Sequence, residues 1–465
     1  MISTRPILTT PLAIDLNDAA VAVVSETGLL HVEPAYVVVA EGPARFGADA
    51  LPVLKRWPRL TSVRYWHDLT AAPLPRPLRA FTSNAEIVAA HLRRLWLTHG
   101  ASSQRGLVCA TPPWWTPEQI SALIDITREY EVAILGLVDA SVAAVRNEYP
   151  GRELLNIDAG LHTLTLTHIR QGGQASVGER EFFPSLGIES LQRLATELIA
   201  RRFIEHSRFD PLHSAEMEQA LFDRLPDWLG RVARDVDARL ELKSGTDRFR
   251  ATIDAADFRA RMAAACEPLL QRLRSRIVMR GPHVLQVPQR LTDFPGVLES
   301  LMRLPECEIH VLEPGAAAFG ALARLTPERV DVPVVRTELP WDQPPVERAA
   351  PAVAPAGRSE CAATHLLAGH RAWRLGAESL TIGTGVTAGE HGVLLEAGLR
   401  GVSRHHCTVR TENGVLMLFD HSRFGTLLNG HRVDTAAVLK AGDVISLGTP
   451  PVELRLIAEV AGHGA

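Results

Sequence analysis

The sequence predicts a multidomain chain, an α/β region followed by a small all-β sandwich, and three observations carry this. At 465 residues the chain exceeds the roughly 250 to 300 residues at which a single core stops growing. Up to about residue 331, apolar strand-like runs alternate with amphipathic helical stretches. After a Pro/Ala-rich stretch, short runs separated by turn residues take over.

The α/β region reads in order. Strand-like runs fall at Ala19 to Val24, His31 to Ala40, Gly106 to Ala110, Glu131 to Val138, Leu154 to Asp158, Leu161 to Ile169 and His283 to Val287. Helical stretches fall between them: Asn84 to Leu97, Pro117 to Tyr130, Ile188 to His206, Ala215 to Leu240 and Ala255 to Arg276. Their apolar residues recur every three or four positions. Thr116 is placed to cap the second helix, with Pro117 in its first turn, so Trp114 and Trp115 beside it read as local packing. Residues 332–362, containing TELPWDQPPVERAAPAVAPAGRSE, show neither period and read as a semi-extended linker. Beyond it come SLTIG, HGVLLE, HCTVRTENGVLMLFD, FGTLLNGHRV and VISLG. The Asn413-Gly414 pair is a hairpin signal, because both residues tolerate positive φ. The divisions are 1–331, 332–362, 363–460 and a tail at 461–465.

Composition removes several function classes. The chain is 46% hydrophobic and 22% charged, enough to bury cores, so wholesale disorder is excluded. Net charge is -4, with Lys only at positions 55, 243 and 440. Acidic residues are mixed among the arginines, so no basic stripe points to nucleic acid. The five cysteines, Cys109, Cys266, Cys307, Cys361 and Cys407, lack any C-x-x-C spacing, which fits reduced thiols and neither zinc nor disulfides. No signal-like or membrane-spanning run is read, and a soluble cytoplasmic protein is expected. Neither G-x-x-x-x-G-K-[ST], H-E-x-x-H nor G-x-S-x-G occurs.

In the C-terminal part, Gly401-Val402-Ser403-Arg404-His405-His406-Cys407, then Ser422 to Gly430, then Leu439 to Gly448 resemble the forkhead-associated family in order and spacing. That resemblance implies a β-sandwich whose loops bind a phosphothreonine peptide. A dianionic phosphate needs charge-assisted donors. Ser403 stands where the family places a hydroxyl donor to phosphate, Arg404 follows it, His406 is the usual loop brace, and Thr426 and Asn429 also match. Two positions depart: Thr384 replaces the Arg that normally follows Ile-Gly, and Phe424 replaces an Asn. The principal phosphate-binding cation is therefore missing, a loss of about 1.5 to 3 kcal/mol in such a contact. Arg400 and Arg423 are the available substitutes.

In the N-terminal region, Ala13 to Asp18 and Leu155 to Thr163 resemble the two phosphate hairpins of the actin and heat-shock-chaperone ATPase superfamily. Gly47 to Ala50, Val138 to Ala144 and Glu313 to Ala321 match further segments in the same order. The resemblance implies two related halves, about 1–150 and 151–331, with ATP and magnesium between them. Asp15, Asp139 and Asp158 occupy positions where the superfamily has carboxylates that handle metal-bound or attacking water. The candidate phosphate-loop residues are Asn17, Asp18, Gly160 and Thr163. Phosphate binding by backbone N–H groups requires glycines, yet Asn17 and Asp18 stand where Gly and Thr or Ser are usual. Leu161 and His162 follow the lone Gly160, and the adenosine-side strand reads His283 to Pro288 without Gly-Gly.

These readings combine into a bacterial-type cytoplasmic regulatory or scaffold protein. Its actin-like domain is a pseudo-ATPase requiring no cofactor, and its forkhead-associated domain recruits a protein partner. One rival is an active magnesium-dependent ATPase using Asp15, Asp139 and Asp158. The other is a phosphothreonine-peptide reader in a kinase pathway.

Overall fold

In the computed structural model, residues 9–100, 105–234, 237–326, 334–347, 363–368, 371–376, 378–387, 391–395, 399, 401–412, 415–423, 425–429, 431–433, 435–448 and 452–458 are described. The chain divides into two compact units, Met1–Ala349 and Ala350–Ala465.

The first unit opens with an antiparallel meander of β1 (Thr9–Asp15), β2 (Val21–Ser25) and β3 (Gly28–Glu33). Four buried residues of β1 and all five of β2 read as a strand covered on both faces. An insertion follows, with a small sheet of β4 (Val37–Val38), β5 (Arg45–Phe46) and β6 (Thr61–Ser62) and a hairpin of β7 (Pro73–Leu78) and β8 (Phe81–Ser83). Helix α1 (Asn84–His99) is capped by the Ser83 side chain. It leads to β9 (Arg105–Thr111), α2 (Pro117–Glu129), β10 (Ile134–Asp139) and the short α3 (Ala140–Ala144). Strand β9 runs parallel to β1, and β10 parallel to β9.

The second half repeats this plan with a meander of β11 (Glu153–Ala159), β12 (Leu164–Arg170) and β13 (Gln174–Phe183). Its insertion holds α4 (Ile188–Ser207), α5 (Ala215–Arg234), the hairpin β14 (Asp237–Ser244) with β15 (Asp247–Asp254), α6 (Ala255–Ala265) and α7 (Glu267–Arg280). The half closes with β16 (His283–Pro288), α8 (Val297–Met302), β17 (Cys307–Leu312) and α9 (Ala316–Arg324). Sheet orders are β3-β2-β1-β9-β10 and β13-β12-β11-β16-β17. Both halves therefore share one topology, in which the first strand of the meander lies centrally and two parallel strands extend from it.

Residues of both sheets, α3 and α9 form one core that includes Ala13, Val138, Leu154, Val284 and Ala318. Helices α3 and α9 approach so closely that a Cβ at Gly320 would sit 1.8 Å from the Ala143 carbonyl oxygen. Arg324, nearly buried, donates to the carbonyls of Val142 at 3.0 Å and Val145 at 2.8 Å, satisfying the end of α3.

Three readings need correction. The helix expected through Leu240 ends at Arg234, and Asp237–Ser244 is a strand, because Ala238, Leu240 and Leu242 are buried in period two against β15. The helix expected over Ala255 to Arg276 is two helices meeting at Cys266. Pro268 sits in the first turn of the second, where a missing N–H costs nothing. The stretch read as linker from residue 332 includes β18 (Val335–Arg336), paired with β10, and β19 (Glu338–Pro340), paired with β13. Each completes the edge of one six-stranded sheet.

The second unit is all-β. One sheet contains β20 (His365–Ala368), β21 (Arg371–Arg374), β26 (Leu427–Leu428), β27 (His431–Arg432), β29 (Val444–Leu447) and β30 (Val452–Ile457). The other contains β22 (Leu380–Gly383), β23 (Gly392–Leu394), β24 (Cys407–Glu412), β25 (Val415–Asp420) and β28 (Ala436–Val438). Leu366, Leu380, Ile382, Cys407, Leu418, Ile445 and Leu454 are fully buried in one cluster between them, as in a two-sheet sandwich. Strands β24 and β25 pair from Cys407↔Asp420 to Glu412↔Val415. The expected turn residues Asn413 and Gly414 lie outside the described residues, as do Phe424, Arg400, Cys361 and linker residues 348–362. Among the described residues, no helix is long and apolar enough to cross a membrane.

Replacing Gly320 by Val should force α3 and α9 apart. The expected loss is about 1 to 3 kcal/mol, read as a lower unfolding midpoint of the N-terminal unit in the full-length chain. An unchanged midpoint would contradict the close helix contact.

Candidate functional site

The turn after β1 is held by its own side chains. The Asn17 N–H donates to Asp15 Oδ1 at 3.2 Å, and Asn17 Oδ1 accepts the Ala19 N–H at 2.9 Å, an arrangement typical of Asn in turns. It turns Asp18 inward, where 1% of its surface is exposed. The turn after β11 closes with the Gly160 N–H on the Thr163 carbonyl at 2.8 Å. The Gly160 and Leu161 carbonyls accept the Ile188 and Glu189 N–H groups, each at 2.9 Å. The start of α4 thus anchors this second turn.

The two turns bond directly to each other. Asp18 Oδ1 accepts the Leu161 N–H at 2.7 Å, and the Asn17 side-chain amide donates to Asp158. A Cβ at Gly160 would lie 2.7 Å from both Asp18 Oδ1 and the Trp114 ring, so only glycine fits beneath these two side chains. Trp114 stacks on His67 at 5.9 Å, and His67 meets His162 edge-on at 5.2 Å. His67 Nδ1 lies 3.7 Å from Asp18 Oδ2. His162 bridges onward to the Val63 carbonyl at 2.9 Å and to Glu189 at 3.2 Å. Trp114 therefore covers the second turn, whereas Trp115 stacks on Trp66 at 5.9 Å as local packing. Thr116 caps α2 through a reciprocal pair with Gln119.

The three acidic candidates lie at the strand ends, and two of them have cationic partners that the sequence reading missed. Asp158 accepts from Arg290 Nη2 at 2.9 Å, while Arg290 Nε donates to the Ala159 carbonyl at 2.6 Å. Asp139 is ion-paired with Arg180 and accepts the Ser141 N–H at 3.0 Å. Arg290 follows the strand His283–Pro288 closely, and Arg180 sits on β13; no motif marks either. Asp15, Asp158, Arg290 and Gly315 border a space of about 30 Å³. Gln286 pairs with Asn156 across β16 and β11, its side-chain amide 3.4 Å from the Tyr149 hydroxyl.

Burial dominates the electrostatics of this cluster. Desolvation, with the nearby Asp158 charge second, pushes Asp15 up to about 7, and desolvation pushes Asp18 up to about 6. Asp139 and Asp158 are raised for the same first reason, against the opposing pull of their arginines. The folded chain thus holds the Asp15 proton more tightly than the unfolded chain, whose carboxyl keeps its ordinary value of 3.8. This contribution to stability is complete below about pH 4 and is lost as pH rises through about 7. Asp15→Asn removes the dependence, so it should melt above the wild type at pH 8, with the difference closing toward pH 4. The ceiling is about 1.4 kcal/mol per pH unit. A constant difference across that range would contradict the burial of an ionisable Asp15.

In the second unit three segments converge at one end of the sandwich. The Thr384 and Gly385 N–H groups donate to the carbonyls of Ser403 and Arg404 at 3.2 and 3.0 Å. The His406 N–H donates to Ile382 and its carbonyl accepts from His421. His406 is fully buried, and its Nδ1 accepts the Ser403 N–H at 3.1 Å, which braces the loop. Ser403 is half-buried at the surface of this loop, and Arg404 and His405 are exposed. Thr426 is fully buried and donates to Asp420 at 2.8 Å. Asn429, at φ 52°, bridges to Asp443 and Val444 at 2.8 and 2.9 Å. Both polar side chains are thus committed to holding loops. Burial opposes ionisation of Asp420, but donors from Ser422 and Thr426 hold its carboxyl below the usual range. Arg423 is exposed, and the Arg432 guanidinium packs over Gly425, which has φ 93°. Arg432 went unnoticed in the sequence because it lies outside the motif.

Residues 381–448 match the family model of the FHA domain, which agrees with the observed sandwich and its loops. Among curated proteins, no match to this chain was found. Domains of this family bind protein partners, typically phosphothreonine peptides. The chain therefore carries an FHA domain in its C-terminal unit, and with it a protein-recognition role.

Proposed function

We propose that this protein is a non-catalytic scaffold, in which an actin-like pseudo-ATPase unit is tethered to an FHA domain that recruits a protein partner. The carrying observation is the Asp18 carboxylate on the Leu161 N–H at 2.7 Å. In the actin and heat-shock-chaperone superfamily, backbone amides of that turn serve phosphate, and here a carboxylate of the same chain takes one. The common strand order of the two halves supports the fold assignment.

Three further features support the loss of catalysis. The carboxylates themselves border little space, about 30 Å³ between Asp15, Asp158 and Arg290, and the neighbouring cavities of about 670 and 370 Å³ are not lined by Asp15, Asp139 or Asp158. Arg290 and Arg180 neutralise the carboxylates that would hold a hydrated magnesium ion. Trp114 and Asp18 occupy the space over Gly160. These residues do not fit a magnesium triphosphate.

For the FHA domain, the phosphothreonine reading rests on Ser403 and Arg404 at the loop surface. Arg423 is exposed two residues before Gly425, over which the Arg432 guanidinium packs, so both are candidate cations for a phosphate. Immobilised phosphothreonine peptides should retain the full-length chain better than the plain peptides. Ser403→Ala should weaken retention roughly tenfold, the scale of one charge-assisted hydrogen bond. Equal retention of both peptides would leave a phosphorylation-independent recognition module. In parallel, ATP turnover by the wild type, Asp15→Ala and Asp158→Ala should match buffer alone; turnover by the wild type that either variant abolishes would overturn the pseudo-ATPase assignment.

A further inference from the structure

A cavity beside the bonded turns measures about 670 Å³, within the usual range for small-molecule sites. Tyr36 and Leu51 of the first half face Ile188, Phe222 and Leu229 of the second across it. The Tyr36 hydroxyl donates to Gln192 Oε1 at 3.3 Å, linking the two sides. A cavity so lined gains from excluding water with an apolar body.

Its charged groups select the rest of the ligand. Asp223 and Asp293 line the cavity and are exposed at its rim. The described bond of Asp223 is with the Gln219 amide at 2.6 Å, which leaves its charge uncompensated. Among the described residues Asp293 has no hydrogen-bond or ion-pair partner. Among the described lining residues the cation is Arg290, already held by Asp158 and the Ala159 carbonyl, and Lys55, whose ammonium lies 5.3 Å from the Phe222 ring, is paired with Glu218 at 3.5 Å. An anion entering here would meet two carboxylates and an arginine that is already paired, whereas a cation at the rim meets complementary charge.

We infer that this cavity is a binding site for an amphipathic organic cation, with an apolar or aromatic body seated between Tyr36, Phe222 and Leu229 and a protonated amine at Asp223 and Asp293. The inference goes beyond the scaffold reading, because that reading assigns no ligand to this cavity, which Ala19 and Leu161 of the two turns border. Such a ligand touches both halves at once, and binding it favours the arrangement in which they face each other.

The test uses the full-length chain and two fluorescent probes of similar apolar size. Dansylcadaverine carries an ammonium, and anilinonaphthalene sulfonate carries a sulfonate. Dansylcadaverine should bind saturably with a blue-shifted emission and at least roughly tenfold more tightly than the sulfonate. Ala233 is exposed and lines the cavity, so Ala233→Phe fills it from the rim without disturbing the core and should abolish that binding. The double variant Asp223→Asn with Asp293→Asn should weaken it about fivefold, in keeping with partly exposed charges. The inference is overturned by absence of saturable dansylcadaverine binding, by equal affinity for the sulfonate, or by binding that Ala233→Phe leaves intact.

Discussion

The N-terminal unit depends on one contact, the buried Asp18 carboxylate accepting the Leu161 N–H between the two turns. A carboxylate with 1% exposure is costly unless hydrogen-bonded, and the backbone donor that offsets that cost lies in the other half of the unit. Separating the halves would leave both groups unpaired. The contact thus couples the first turn, the second turn and the start of α4, which anchors the second turn through the Gly160 and Leu161 carbonyls.

Around this contact the remaining acids are managed in different ways. Asp158 and Asp139 are matched by Arg290 and Arg180, whereas Asp15 has a backbone N–H and a destabilising neighbour in Asp158. A buried ion pair gains little net stability but is expensive to break. The arginines therefore act mainly to fix the arrangement of the strand ends. The FHA domain shows a milder version of the same logic. His406, Asp420 and Asn429 spend their polar atoms on loop backbone and neighbouring side chains, which leaves Ser403 and Arg404 presented at the surface.

Much of this was legible in the sequence because the signals were local. The Thr116 cap, the short strand runs of β24 and β25 and the Ser403 to His406 motif each lie within a few residues. The two meanders are placed by the resemblance that the segments Ala13 to Asp18 and Leu155 to Thr163 carry. The β14 and β15 hairpin was misread because Arg, Leu, Glu and Lys favour helices, although Ala238, Leu240 and Leu242 keep a strict period of two. Strands β18 and β19 are too short to show a pattern, and only the open edges of two sheets give them partners. Arg290, Arg180 and Trp114 act across long sequence separations, so nothing near them in the chain announces their roles.

The most direct measurement of the central claim is titration calorimetry of the full-length protein with magnesium ATP. If Asp18 holds the Leu161 amide and closes the two turns on each other, no binding heat will be detected at micromolar to millimolar nucleotide. Saturable micromolar binding would contradict that account, because a triphosphate could enter only by displacing the Asp18 carboxylate.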